Sequence, residues 1–193
     1  MKNKGNIIVV SAPSGAGKTT ICDAVIKTQK NVVVSISVTT RAPRAGEKNG
    51  RDYIFTDVPK FKKMIKQNKF VEWAQVHGHY YGTLKETLTQ AVGKGKDILL
   101  DIDVVGGINI KKLFKNACLI FIMPPSIKEL EKRLKARAKD DISVIKQRLI
   151  NAKREIAKSK IYDYCVINDN LQGAISAVES IIVAQRYKNK KGV

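Results

Sequence analysis

Short apolar runs alternate along this chain with longer stretches of helical spacing. "NIIVVSA" (6–12) leads into a glycine-rich turn and then "KTTICDAVIKTQ", whose apolar positions recur at helical intervals, so the opening reads strand, loop, helix. Further runs of strand length are "VVVSISV" (32–38), "DILLDID" (97–103), "CLIFIM" (118–123) and "YCVIN" (164–168). Most are almost continuously apolar instead of alternating, which suits strands of a parallel sheet covered on both faces. Helices fit between them. "SIKE" after Pro124 and Pro125 sets Ser126 and Glu129 at capping-box spacing, and "TLKE" repeats the device from Thr83. From Leu171 to about Lys188, the residues Leu171, Ala174, Ile175, Val178, Ile181 and Ile182 form one stripe. Strands alternating with helices predict an α/β fold with three layers and a mostly parallel sheet.

Two segments interrupt this rhythm. Residues 39–96 carry "GRDYIF" and "FVEWAQVHGHYYG", aromatic-rich and alternating, which predict a small β-containing insert. Residues 133–148 are highly polar and read as a mobile flap between two helices. The expected organisation is one domain over residues 1–193, with a core of 1–38, 97–132 and 149–193, an insert of 39–96 and a lid of 133–148. Trp73 reads as packing for the insert, and His77 and His79, flanking Gly78, as hairpin positions instead of metal ligands.

Composition narrows the class. The 193 residues suffice for one well-buried domain, and 44% hydrophobic with 27% charged residues describes an ordinary folded protein. No apolar run approaches the roughly 18 residues of a membrane span. The basic and then apolar start breaks at once into "SAPSGAGK", so no secretion leader is expected and the cytoplasm is the expected compartment. Cys22, Cys118 and Cys165 lack a Cys-x-x-Cys pattern and are expected as buried free thiols. The charge of +19 favours anionic ligands. Its lysines are spread along the chain and not gathered into one arm, which describes a solvated surface more than a nucleic-acid footprint.

"SAPSGAGKTT" (Ser11 to Thr20) carries the first chemistry. It fits G-x-x-x-x-G-K-[ST] at Gly17, Lys18 and Thr19, with Ala12 in the first glycine's place. Backbone N–H groups over Ser14, Gly15, Ala16 and Gly17 are expected to cradle phosphates at the start of the helix that continues through Thr20. Lys18 would reach the outer phosphates and Thr19 would place its hydroxyl on Mg²⁺. Gly15 and Gly17 supply backbone conformations that side chains resist. Ala12 ends a strand and needs only extended geometry. The motif names a nucleoside triphosphate but not the group that receives the phosphate.

The acceptor is suggested by "SISVTTRAPRAGEKNGRDY" (Ser35 to Tyr53). Arg41 and Arg44, three apart around Pro43, offer a stiff pair of forks for a terminal phosphate, and Tyr53 a further hydroxyl. "FVEWAQVHGHYYGT" adds Glu72, Tyr81 and Thr83. One carboxylate can accept guanine's adjacent N1–H and N2–H₂ together, whereas adenine has no such pair. Asp101 and Asp103 alternate, so as strand residues they would face one side at the end where open α/β sheets place ligands, unless one caps a helix.

These stretches together, with "LLDID", "PPS", "RLKAR" and "VIND", resemble guanylate kinases almost end to end, from about Gly5 to Arg186. The resemblance implies a P-loop kinase core, a GMP-binding insert and a lid, with ATP, Mg²⁺ and GMP as cofactor and substrates. It implies that Arg41, Arg44, Tyr53 and Tyr81 hold the GMP phosphate, and that Ser37, Glu72 and Thr83 read guanine, with Asp101 or Asp103 at its edge. Lys18 would bridge the phosphates, Arg137 and Arg148 would close over ATP, and Asn168 and Asp169 would lie beside the adenine. Arg133, one helical turn before Arg137, reads as solvated. Ala12 and the flap residues Ala138 and Lys139 depart from the family pattern. No Ser-His-Asp or Cys-His set is present to suggest a covalent intermediate, and none is needed for in-line transfer between phosphates. A kinase for another nucleoside monophosphate, a non-catalytic interaction module and a basic nucleic-acid-binding protein are the competing readings. No nucleic acid or membrane partner is expected, and monomer and homo-oligomer stay open.

Overall fold

A computed structural model describes residues 4–76, 78–137 and 142–188, without the side chains of Arg137 and Ile142. In chain order the elements are β1 (Ile7–Ser11), α1 (Lys18–Thr28), β2 (Val32–Val34), β3 (Val38–Thr39), β4 (Ile54–Phe55), α2 (Val58–Lys66), β5 (Phe70–Val76), β6 (His79–Leu84) and α3 (Lys85–Gly93). There follow β7 (Asp97–Asp101), α4 (Val104–Leu113), β8 (Cys118–Met123), α5 (Ile127–Arg137), α6 (Ile142–Ala157), a 3₁₀ turn (Lys158–Ile161), β9 (Tyr164–Ile167) and α7 (Leu171–Tyr187).

Five strands form a parallel sheet in the order β2-β7-β1-β8-β9. Side chains alternate across it, which explains the continuous apolar runs. Ile8, Val10, Leu99, Ile120 and Ile122 pack with Ile21, Cys22 and Val25 of α1 and with Ala174, Ile175, Val178 and Ile182 of α7. Val9, Ile98, Leu100, Leu119 and Phe121 face the other way, onto Leu88 and Ala91 of α3 and Val104 and Ile110 of α4. This is the expected three-layer α/β core. The α7 stripe lies on it as expected apart from Leu171, which is exposed.

A second sheet, in the order β4-β3-β6-β5, has its own small core. Phe61 of α2 stacks on Phe70 and Tyr80, with ring centroids 4.5 and 5.3 Å away. Gly82 admits this cluster: a Cβ there would lie 2.7 Å from Phe70 Cδ1. Trp73 stays 43% exposed, tilted beside Tyr80. Val76 pairs with His79 across a turn that includes Gly78 at φ 84, so His79 takes the hairpin position expected of it, while His77 lies outside the described residues.

Some local expectations are corrected. The run 32–38 is not one strand: its first three residues join β7 in the core sheet, and Val38 begins the second sheet beside Ile54 and Gly82. Thr83 caps no helix, because α3 has Leu84 at its N-cap with no side-chain bond there. Ser126 does cap α5, accepting from the backbone N–H of Glu129 at 3.0 Å. The polar stretch 133–148 is helical on both sides, as the end of α5 and the start of α6, and residues 138–141 lie outside the described residues. Leu130 and Leu134 of α5 pack there on Ile145, Leu149 and Ala152 of α6. Cys22 and Cys118 are buried free thiols, but Cys165 is exposed on the edge strand β9.

Candidate active site

At the C-terminal ends of β1 and β7 the chain opens a cleft of about 300 Å³. Open parallel sheets place ligands here because loops diverge where neighbouring connections leave to opposite faces. Its lining includes Ser14, Gly15, Gly17, Lys18 and Thr19 from the glycine loop, Glu72 and Tyr81 from the second sheet with Ser37 and Tyr53 just before its strands β3 and β4, Asp101 from the end of β7 and Asp103 from the start of α4. Most of the residues singled out in the sequence are thus brought together from six separate segments.

The loop is built for anions. Gly15 and Gly17 take φ of 91 and 95, left-handed values that favour glycine. Gly17 is also the N-cap of α1, so the unpaired N–H groups of the first turn and the helix dipole face the cleft. Ala12 is buried in the core and has no left-handed backbone, so its methyl group costs the loop nothing. Ala16 is fully buried behind the loop, and Thr20 is exposed on α1 away from the cleft. Lys18 Nζ lies 2.6 Å from Asp101 Oδ1 and donates to the Ile102 carbonyl at 2.9 Å. Burial alone would lower the Lys18 pKa, but the Asp101 carboxylate outweighs it and leaves the pKa raised, so the ammonium is retained.

Antiparallel register explains the carboxylate on the opposite wall. Glu72 of β5 stands opposite Thr83 of β6, so their side chains share a face, and the Thr83 hydroxyl donates to Glu72 Oε1 at 2.7 Å. Glu72 is 8% exposed. Burial pushes its pKa up to about 7; the Thr83 hydrogen bond pulls back and the Asp103 charge adds to the rise. Thr83 itself is buried behind Glu72 and does not line the cleft.

Arg41 lies outside the lining and is already gripped. Its Nη2 donates to both Glu47 oxygens at 2.8 and 3.0 Å, and its guanidinium sits 5.3 Å over the Tyr53 ring. Tyr53 in turn meets Tyr81 edge-on at 6.1 Å. Arg44 is exposed, and its backbone N–H donates to Glu47 Oε2 at 2.8 Å. Arg148 is half-buried on α6 outside the cleft, and Arg137 ends α5 with its side chain outside the described residues.

Asp101 and Asp103 do not alternate along one strand. Asp101 ends β7, whereas Asp103 is the N-cap of α4 and accepts from the Gly106 N–H at 2.7 Å. Asp103 still lines the cleft, so it combines the helix-start role with a place at the site. Asn168 does not present its amide to the cleft: it is buried, and its Nδ2 donates to the Ala16 carbonyl at 2.8 Å. Asp169 is exposed and accepts from the Asn170 N–H at 2.7 Å. Arg133 is only half-exposed and is anchored, its Nη2 donating to the Asn168 carbonyl at 3.0 Å.

Two residues at this site escaped the sequence reading. Glu155 of α6 lines the cleft, and burial pushes its pKa up to about 7, helped by Asp103 and opposed by Lys18. Nothing in "NAKREIA" distinguishes it from a surface carboxylate. Glu47 organises the arginine segment, and being an acid among "RAPRAGEK" was the available signal.

The guanylate kinase family model matches residues 4–185. The guanylate kinase of Rickettsia prowazekii is 47% identical over 188 residues, covering 97% of this chain and 95% of that protein. That of Polaromonas sp. is 44% identical over 188 residues, covering 97% and 91%. A crystal structure of guanylate kinase from Anaplasma phagocytophilum superposes with a TM-score of 0.83 at 34% identity, covering 97% of this chain and 89% of that one. With a glycine loop and a buried carboxylate facing each other across one cleft, and with these relatives matching nearly end to end, the chain belongs to the guanylate kinase family.

Proposed function

We propose that this chain transfers the γ-phosphate of ATP to a phosphate oxygen of GMP, giving ADP and GDP, by direct in-line displacement. One observation carries the reading: the glycine loop and Glu72 line the same cleft, so a triphosphate on one wall and a purine on the other would face each other. A carboxylate accepts from guanine N1–H and N2–H₂ together, with Ser37 and the Thr83 hydroxyl beside it and Asp101 or Asp103 at the base's edge. Adenine presents an acceptor where guanine presents N1–H, so the buried carboxylate would lose that donor and keep its Thr83 hydrogen bond. The same geometry extends to dGMP, whose base is identical.

The acceptor phosphate, with a second pKa near 6, is largely dianionic at neutral pH, so its oxygen attacks without a general base. The bond from the γ-phosphorus to the ADP oxygen breaks as the new P–O bond forms, and ADP leaves with that electron pair. The protein's task is to hold two anions in contact. Arg41, presented by Glu47, joins Arg44, Tyr53 and Tyr81 on the GMP phosphate. Lys18 exchanges Asp101 for the phosphates in transit. Asn168 and Asp169 complete the ATP side behind the loop over Ser14 to Thr20. Residues 39–96 and 133–148 close over the substrates, the latter bringing Arg137 and Arg148, and exclude water from the reacting phosphate.

Mg²⁺ fits the loop end of the cleft. The Thr19 hydroxyl and the Asp101 carboxylate are hard oxygen donors on its lining, and among the described residues no three of His, Cys, Asp or Glu gather into a protein cage. Phosphate oxygens and water would complete the coordination, as this ion prefers. When bound, it would supply charge neutralisation for the triphosphate. No helix among the described residues is long and apolar enough to cross a membrane.

A coupled ADP-release assay with ATP, Mg²⁺ and each of GMP, AMP, UMP and dTMP tests the proposal. GMP is the expected acceptor; preference for any of the other three would overturn the base assignment.

A further inference from the structure

We infer that Asn168 is a positioning residue for the phosphate loop, and that it acts on ATP through the loop backbone and not by reading adenine. Its amide nitrogen is committed. Asn168 is 5% exposed, and Nδ2 donates to the Ala16 carbonyl at 2.8 Å in a fully buried position. The orientation of the amide is fixed by its partner, because a flipped amide would set its own oxygen against a carbonyl that only accepts. The neighbouring loop residue has been left open for it: a Cβ on Gly17 would lie 2.5 Å from Asn168 Nδ2. Gly17 therefore serves two needs, a left-handed φ of 95 and room for the amide.

The clamp is itself anchored. The Asn168 backbone N–H extends the β8–β9 pairing by donating to the Met123 carbonyl at 2.8 Å, and its own carbonyl accepts from Arg133 Nη2 at 3.0 Å. Arg133 is steadied by Glu129 one turn earlier on α5. Two leucines of the same helix press on the loop from a second side: a Cβ on Gly15 would lie 2.9 Å from Leu134 Cδ2 and 3.3 Å from Leu130 Cδ1. The loop is thus held at Gly15 by α5 and at Ala16 and Gly17 by the end of β9, with Arg133 joining the two supports. Backbone N–H groups aimed inward select phosphate only if the peptide planes stay fixed, and the Ala16 carbonyl belongs to one of the loop's peptide planes. The inference rests on the loop's being the triphosphate site proposed above.

The test compares a ligand that has a base with one that has none. Asn168→Leu keeps the volume and removes the donor, leaving a buried carbonyl unpaired. Binding of ATP, inorganic triphosphate and GMP is measured by calorimetry, with Asn168→Ala as a second variant and thermal unfolding as the control for folding. ATP and inorganic triphosphate are both expected to weaken about tenfold, with GMP affinity unchanged within about twofold. If ATP weakens while inorganic triphosphate does not, Asn168 reads the base and the inference is overturned. It is equally overturned if neither weakens, or if GMP falls in parallel through general loosening of the fold. Wild-type ADP release with GMP is assayed alongside. Its absence would sink the proposed reaction while the triphosphate comparison still reports on the clamp.

Discussion

Acidification should weaken GMP binding through Glu72. The carboxylate is 8% exposed and its pKa is pushed up to about 7, chiefly by burial, with the Asp103 charge adding to the rise. Only the ionised form accepts both guanine donors; protonation puts an O–H where guanine also offers hydrogen. Protons and GMP therefore compete for one group. With a pKa of about 7, the ionised fraction is about 91% at pH 8 and about 9% at pH 6, so apparent affinity should fall about tenfold over that interval. The GMP phosphate also titrates near pH 6 and contributes about a further factor of two. The two effects separate in Glu72→Gln, which should retain only the phosphate's share on top of a large loss at every pH. The measurement is the GMP dissociation constant by calorimetry at half-unit steps from pH 6 to 8, without ATP. A wild-type change of no more than about twofold, or the same slope in the Gln variant, would show that the carboxylate does not meet the base.

The remaining expectations use the same geometry. Glu72→Gln should stabilise the unliganded fold at pH 8: a carboxyl whose pKa rises from 4.5 to about 7 on folding contributes stability that is complete below pH 4.5 and lost as pH rises through 7, at most about 3 kcal/mol, readable by denaturant titration at pH 5 and pH 8. A Gln variant no more stable than wild type at pH 8 would contradict that sign. Lys18→Ala should reduce kcat at least about a hundredfold while GMP binding is largely spared, because Lys18 sits among the loop residues across the cleft from Glu72; unchanged turnover in the release assay would refute its role. Gly82→Ala should destabilise by about 1–3 kcal/mol, since its Cβ would meet Phe70 at 2.7 Å inside the stacked Phe61–Phe70 pair; an unchanged melting temperature would show that the small core yields.

The core strands were legible because a parallel strand covered on both faces has little use for polar residues, so "CLIFIM" could be placed to the residue. The glycine loop was legible because its chemistry is local, with N–H groups, lysine and hydroxyl all within ten positions. What stayed hidden depends on partners distant in sequence. Thr83 looked like a helix cap because "TLKE" has that spacing, yet its hydroxyl is taken by a carboxylate eleven residues earlier on the paired strand. The run 32–38 breaks at Ser35 without glycine or proline, and the cause lies elsewhere: Ser35 N–H still bonds Leu99 in the core, while the Ser37 carbonyl already accepts from Ile54 of the second sheet. Helix α2 was not read from the sequence, although Asp57 accepts from the Lys60 N–H and Pro59 lies in the first turn, because its many exposed lysines mask the apolar stripe. Asn168 belonged to a short polar tail after a strand, and only its contact across 152 residues reveals what it holds.

The charge of the whole chain is a poor guide to the charge of its cleft. An excess of +19 suggested a surface attractive to anions, yet among the described residues the lining holds Glu72, Asp101, Asp103 and Glu155 against the ammonium of Lys18. Two of the four, Glu72 and Glu155, have their pKa raised to about 7, so the cleft carries less negative charge at neutral pH than the count implies. On the proposed reading, affinity for phosphate comes from oriented groups: the loop's N–H groups, Lys18 once it leaves Asp101, and Arg41 held ready by Glu47. Each of these cations already has a carboxylate partner, so binding a phosphate exchanges one anion for another and avoids desolvating a free charge. That exchange favours a ligand able to compete for Lys18 and Arg41 together, and an ATP–GMP pair meeting across the cleft offers a phosphate to both at once.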